Sequence, residues 1–301
     1  MCQTCGCSDD AQVTLTDVQT GTVLALATDR DRHAHTHAHG HDHAHAHEHV
    51  HPHSHTHAHD GHHHHHEHEH SPNGGLLPSA DAHRPTRTIQ LEHELLAKNR
   101  LLAERNRGWF AGRGVLALNL ISAPGAGKTT LLERTIRDLG HQVAISVIEG
   151  DQATLHDAQR IQATGCKVVQ INTGAGCHLE ADMTARGLAH LDPPPGSVVM
   201  IENVGNLVCP ALFDLGERAK VVVMSVTDGD DKPVKYPHAF RESEIMVLNK
   251  IDLLPHVQFD VDRCLDFARQ VNPGMRAFQV SATRGDGLDQ WYDWLRGQPS
   301  S

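Results

Sequence analysis

The chain has few aromatic side chains, 4% of its 301 residues. It has no Lys/Arg patch interleaved with them, which argues against a nucleic-acid surface. No run approaches the ~18 apolar residues needed to span a bilayer. The N-terminus has neither a basic start nor an apolar signal core, so the expected location is the cytoplasm, away from membranes. Residues 1–86 contain almost no large apolar side chains beyond "VLALA" at 23–27. Such a segment cannot build a core, and one folded domain of about 190 residues is expected behind a long tail.

That tail is dominated by one residue type. Positions 33–70 hold 21 histidines in 38 positions, alternating with Ala, Thr, Ser, Asp and Glu. The tract is internal and interrupted, unlike an affinity tag, and is read as native. Its period of two places imidazole on one side and Ala, Asp or Thr on the other, with almost nothing to bury, so it is expected to be disordered. Disordered imidazoles bind divalent metals in many weak, interchangeable arrangements. The formal charge of −11 counts every His as neutral, and will change with pH near 6.5 and with metal loading.

The sequence divides into a cysteine head (1–10), a segment 11–87 expected to be disordered, and a folded domain at 88–297. Within 11–87 lie a weakly structured stretch (11–32), the histidine tract and a Pro/Gly linker (71–85). Residues 88–107, "TIQLEHELLAKNRLLAERNR", space Ile89, Leu91, Leu95, Leu96, Leu101 and Leu102 as a helix leading into the core. From 115 onward, seven apolar strand runs alternate with helix-length segments. This is the pattern of an α/β fold, a mostly parallel sheet with helices on both faces. Ligands of such sheets bind at the carboxyl ends of the strands.

The motifs fall at those ends. "SAPGAGKTT" (122–130) follows the first strand and meets the GxxxxGK[ST] pattern except at its first position, Ser122. Gly125, Ala126 and Gly127 turn backbone N–H groups onto a phosphate. Lys128 reaches the β and γ oxygens, the Thr129 hydroxyl ligates Mg²⁺, and Thr130 continues the helix. "NKID" supplies Asn249, Lys250 and Asp252, and "SAT" at the next strand end supplies Ser281 and Ala282. Behind a phosphate loop, this pairing is similar to that of NKxD-type G proteins, in which the Asp reads guanine, and it favours GTP over ATP. Asp151 in "EGDQAT" and Glu202 in "IENVG" are the candidates for Mg²⁺ and hydrolysis, with a helix cap or loop charge as the alternative. Glu202 is preferred because its strand end should adjoin the phosphate loop. No Gln stands where it would orient a water, so slow turnover is expected.

Seven cysteines include three, Cys2, Cys5 and Cys7, within "MCQTCGC". They are too close together for a disulfide framework and read as metal ligands. Thiolates beside the amine freed by loss of Met1 suit square-planar Ni²⁺; a fourth protein ligand would suit tetrahedral Zn²⁺ equally. Cys177 and His178 in "GAGCHLEADM" and Cys209 in "ENVGNLVCP" form a second candidate set. Cys166 and Cys264 read as small buried hydrophobes.

Taken together and in this order, the cysteine head, the histidine tract, "SAPGAGKTT", "GAGCHLEADM", "ENVGNLVCP" and "NKID" resemble the HypB family of hydrogenase nickel-incorporation GTPases. The resemblance covers about 100–295 and the head. It implies a SIMIBI-class P-loop G domain that dimerises with GTP. It also implies a high-affinity nickel site at Cys2, Cys5 and Cys7, and a weaker nickel or zinc site at Cys177, His178 and Cys209. Nickel would pass to the metallochaperone HypA and then to the hydrogenase large-subunit precursor. Lys232 and Lys235 would reach the nucleotide or the opposing subunit; solvated loop charge is the alternative. A urease-type nickel-insertion G protein, or a nickel storage protein with an incidental G domain, are the competing readings. Deletion of residues 33–70 should lower nickel stoichiometry in equilibrium dialysis while leaving GTP turnover and high-affinity binding intact; loss of turnover would contradict a modular chain.

Overall fold

The computed structural model describes residues 13–26, 87–152 and 154–298, without the side chains of 87–92. The cysteine head, the histidine tract and the linker lie outside the described residues.

Among the described residues, nine strands form one sheet. In chain order they are β1 (Thr14–Asp17), β2 (Val23–Ala25), β3 (Leu116–Ser122), β4 (Ile145–Asp151), β5 (Lys167–Asn172), β6 (Val198–Glu202), β7 (Ala219–Ser225), β8 (Ile245–Asn249) and β9 (Arg276–Gln279). Their spatial order is β2-β1-β5-β4-β6-β3-β7-β8-β9. The seven strands from β3 onward are parallel to one another. Every residue of β3, β6, β7 and β8 is buried, as strands covered on both faces must be.

Alternation along β3 assigns the two faces. Leu116, Leu118 and Leu120 join a core with α2 (Lys128–Leu139), α3 (His156–Gln162) and α9 (Leu288–Arg296). On the other face, Ala117 packs with residues of α1 (Arg87–Gly112) and α4 (Ala181–Leu191), and Ile121 with α7 (Pro237–Arg241) and α8 (Val261–Val271). The short helices α5 (Cys209–Leu212) and α6 (Lys232–Lys235) follow β6 and β7. The architecture is the expected α/β one.

Two expectations are corrected. Residues 13–26 lie in the stretch read as weakly structured and in the segment read as disordered, yet they form an antiparallel hairpin added to the edge of β5. Val13 and Leu15 carry it, 7% and 1% exposed in the same core as Ile171 and Leu188. Two buried side chains and an edge with open backbone groups suffice where the segment's own composition does not. Helix α1 also departs from expectation, in the face it buries. Among its described side chains the buried ones are Asn99, Ala103, Asn106 and Phe110, while Leu95 and Leu101 are exposed. The helix therefore docks through amides as well as apolar surface. Asn99 Nδ2 donates to Asp214 O (2.7 Å) and its Oδ1 accepts from Ala181 N (2.9 Å). Asn106 Nδ2 donates to Ala181 O (2.8 Å) and Leu215 O (3.0 Å).

Gly216 closes this contact at φ 89°, with a hypothetical Cβ 2.5 Å from Ala103 O. Gly216→Ala combines a left-handed backbone with a clash against helix backbone, and should cost about 2 kcal/mol or more in urea denaturation. A wild-type midpoint would mean that α1 docks without this close approach.

Candidate functional site

The phosphate loop leaves β3 at Ser122 and enters α2 at Lys128. Gly125 and Gly127 hold φ of 75° and 94°. A Cβ on Gly127 would also lie 2.6 Å from Asn249 Nδ2, so that position requires glycine for space as well as conformation. The loop amides and the amino end of α2 form a ready anion site. Lys128 Nζ donates to Ser122 Oγ (2.8 Å), so the departure from Gly at the first motif position gives the buried ammonium a local acceptor. Burial lowers the Lys128 pKa, and the Glu202 carboxyl opposes that shift. Thr130 is engaged elsewhere: its hydroxyl accepts from Arg160 Nη2 (3.2 Å).

Parallel pairing sets Glu202 of β6 beside Leu120 of β3 and Glu149 of β4. Thr129 Oγ1 donates to Glu202 Oε1 (2.8 Å). Glu202 Oε2 and Glu149 Oε2 are buried without a hydrogen-bond partner. Burial pushes Glu202 up to about 7 and Glu149 up to about 9, the latter reinforced by the Glu202 charge. A hydroxyl beside two carboxyls, each with an unmet oxygen, suits a hard divalent cation, and Mg²⁺ fits this donor set. Asp151 stands at the end of β4 and accepts from Thr154 N (3.0 Å) and Thr154 Oγ1 (2.8 Å), closing a turn.

The loop that carries Asn249, Lys250 and Asp252 is built onto the phosphate loop. Asn249 Nδ2 donates to Ala126 O (3.1 Å), while its Oδ1 accepts from Lys250 N (2.8 Å) and Ala282 N (3.1 Å). Lys250 sits at φ 63°, a strained region for a side chain of this size, and its Nζ donates to Gly125 O (2.7 Å). Asp252, in the 3-10 helix Ile251–His256, is partly exposed. Ser281 is buried and its Oγ accepts from Arg284 N (3.0 Å), ordering the loop that carries Ala282.

The second cysteine set converges. Ligand atoms of Cys177, His178 and Cys209 all lie within 4.8 Å of one another. An ion about 2.0–2.3 Å from each at tetrahedral angles needs ligand atoms about 3.3–3.8 Å apart, so a contraction of about 1 Å would bring in all three and leave a fourth position. The His178 ring lies tilted against Phe213 (3.9 Å between centroids, 31° between planes), with Nε2 buried and without a hydrogen-bond partner. Burial holds its pKa down to about 4, which keeps the imidazole neutral, the ligating form.

This cluster is joined to the nucleotide loops by residues 203–209. Asn203 Oδ1 accepts from Leu179 N (3.1 Å), next to His178, and its Nδ2 donates to Asn119 Oδ1 (3.2 Å). Asn206 pairs with Ser122 as an isolated bridge and its Nδ2 donates to Cys177 O (3.5 Å). Gly205 lies against Pro124 of the phosphate loop. Lys220 Nζ donates to Ala211 O (2.9 Å), fixing the helix that begins at Cys209.

A model of the CobW/HypB/UreG nucleotide-binding domain matches residues 116–279. The hydrogenase maturation factor HypB of Escherichia coli (strain K12) is 53% identical over 223 residues, 73% of this chain and 77% of that one. The chain belongs to the HypB family. A crystal structure of HypB from Archaeoglobus fulgidus superposes with a TM-score of 0.62 at 40% identity, covering 67% of this chain and 98% of that one. HypB from Helicobacter pylori in complex with nickel gives 0.62 at 34%, covering 66% and 94%.

Glu149 was missed, although it stands two residues before Asp151; as one letter in an apolar strand it gave no sign of facing Glu202. Lys232 pairs with Asp228 (3.1 Å) and is largely buried, whereas Lys235 pairs with Asp231 (2.8 Å) and is exposed. Cys2, Cys5 and Cys7 lie outside the described residues. Cys166 and Cys264 are buried, and burial pushes both thiols up to about 12, so they are inert.

Glu149 and Glu202 both titrate above the ordinary 4.5. From about pH 5 to 9 the fold therefore holds protons that the unfolded chain has released, and their contribution to stability falls as pH rises. Glu149→Gln keeps a neutral side chain throughout. The stability of wild type relative to this variant, from urea midpoints, should fall from pH 5 to pH 9; a rise would contradict the buried pair.

Proposed function

We propose that this chain is a GTP-hydrolysing nickel metallochaperone that stores nickel and delivers it to the [NiFe] hydrogenase large subunit during maturation. The observation that carries the reading is the single loop, residues 203–209, that runs from Glu202 at the Thr129 hydroxyl to Cys209 in the metal cluster. A change of nucleotide state at one end alters the backbone that places a ligand at the other. Such coupling works only through differential affinity for the two arrangements.

In this reading Lys128 and the amides of Gly125, Ala126, Gly127, Thr129 and Thr130 hold the phosphates. Asn249, Lys250 and Asp252, with Ser281 and Ala282, select guanine. Thr129 and Glu202, with Glu149 beside Glu202 and Asp151 at the end of the same strand as Glu149, would hold Mg²⁺, whose chemistry is charge neutralisation at the β and γ oxygens. Nickel is cargo. It is held tightly at Cys2, Cys5 and Cys7, in bulk by the histidine tract, and exchangeably at Cys177, His178 and Cys209, where zinc is the competitor. A GTP-dependent homodimer, HypA and the large-subunit precursor are the partners, and Lys232 and Lys235 serve the nucleotide or the dimer. Turnover is slow. The names of the relatives support the hydrogenase assignment, and no helix among the described residues is long and apolar enough to cross a membrane.

A storage protein with an incidental G domain is the alternative, and Lys128→Ala separates the two. That change should abolish hydrogenase maturation even with excess nickel; maturation that survived it would favour storage. Nickel titration of Cys2→Ala/Cys5→Ala and of Cys177→Ser/Cys209→Ser, each with GDP and with a non-hydrolysable GTP analogue, should show nucleotide-dependent affinity only where Cys177 and Cys209 remain. Equal affinities in both states would remove the switch.

A further inference from the structure

We propose that the β1–β2 hairpin is a mooring. It delivers the cysteine head and the histidine tract to the edge of the sheet that carries Cys177, His178 and Cys209, so that metal moves from head to cluster within one chain. The metal part rests on the nickel reading above; the mooring itself does not.

The register fixes the direction. β1 runs antiparallel to β5 with Thr14 opposite Asn172 and Asp17 opposite Val169. β2 returns beside β1 with Ala25 opposite Thr14. Both open ends, Val13 and Leu26, thus stand level with Asn172, the last residue of β5, and Leu26 N donates to Val13 O (2.8 Å). Cys177 follows Asn172 by five residues, and a turn shortens that path: Gly176 N donates to Thr173 O (2.8 Å) and Thr173 Oγ1 to Gly176 O (2.7 Å). Cys7 precedes Val13 by six residues, a contour of about 20 Å at ~3.3–3.6 Å per residue. His33 follows Leu26 by seven, about 25 Å by the same measure. A strand laid the other way along β5 would release both tails at the opposite edge.

The attachment is more than an edge pairing, which alone is weak for two strands. Leu15 and Val13 share a core with Val169, Ile171, Leu188, Leu191 and Leu179, the residue after His178. At the closed end, His190 Nε2 lies 2.9 Å from Asp17 Oδ2, Gln162 Nε2 donates to Val18 O (2.7 Å) and Gln19 Nε2 to Cys166 O (3.2 Å). A short tether so fixed sets an effective concentration in the millimolar range, above that of the protein itself, and exchange in one chain outruns exchange between chains.

A metal-free test uses the full-length chain. A bis-maleimide of about 10 Å span should cross-link the head cysteines to an Ala175→Cys thiol, beside the cluster, far more than to a His141→Cys thiol at the amino edge. Thirty Gly/Ser residues inserted between Gln12 and Val13 should lower the first yield about 15-fold, since effective concentration falls roughly as the −3/2 power of tether length. Leu15→Asp, which frees the hairpin, should lower it in the same sense. Equal yields at the two edges, or no effect of the insertion, overturn the mooring. Stopped-flow transfer of Ni²⁺ from head to cluster should then be first order and independent of protein concentration, and slowed by the insertion; second-order transfer overturns the one-chain route. Failure of both sites to bind Ni²⁺, with cross-linking as expected, removes the nickel reading and leaves the mooring standing.

Discussion

The parallel pairing of β6 with both β3 and β4 is the constraint from which the site follows. It sets Glu202 level with Glu149 on one side and beside the strand that opens the phosphate loop on the other. A one-residue slip would turn Glu202 to the opposite face, away from Thr129, and would break the run from Asn203 through Asn206 to Cys209. The register is enforced by apolar residues with no chemical role, Val199, Met200 and Ile201 among them, each without measurable exposure. Packing of the least reactive side chains thus decides where the most reactive ones meet.

The other half of the frame is polar. Asn99 and Asn106 of α1 bind backbone at Ala181, three residues after His178, and at Asp214 and Leu215, beyond the helix that begins at Cys209. Asn119 and Glu217 add a buried link, Asn119 Nδ2 donating to Glu217 Oε1 (3.1 Å) and Leu215 N to Glu217 Oε2 (2.6 Å). Buried amides and carboxyls specify one arrangement because any other leaves them unsatisfied. The loops that bear Cys177, His178 and Cys209 are thereby held from behind.

Legibility in the sequence followed the kind of signal involved. The parallel sheet and the phosphate and base loops were readable because local rules govern them: apolar runs of strand length, glycines where the backbone turns left-handed, Lys and Thr opening a helix. The convergence of Cys177, His178 and Cys209 was named from family resemblance, since residues 31 positions apart carry no spacing code. The hairpin was hidden because Val13 and Leu15 are two apolar residues in a polar tail, and their partner strand lies some 150 residues away. The face of α1 was misjudged because leucine spacing draws attention, whereas the buried stripe runs through two asparagines. Glu149 was hidden by its surroundings, a single acid in a strand where only its neighbour across the sheet gives it meaning.

The hairpin also bears on the order of events during synthesis. Gln19 bonds to Cys166 across 147 positions, so β1 has no edge to join until β5 has been made. Contacts of such separation close late. Residues 13–26 therefore leave the ribosome well before the strand that holds them. The hairpin is thus the one element of the described fold whose chain is made first and whose place in the sheet exists only once residues 167–172 have followed it.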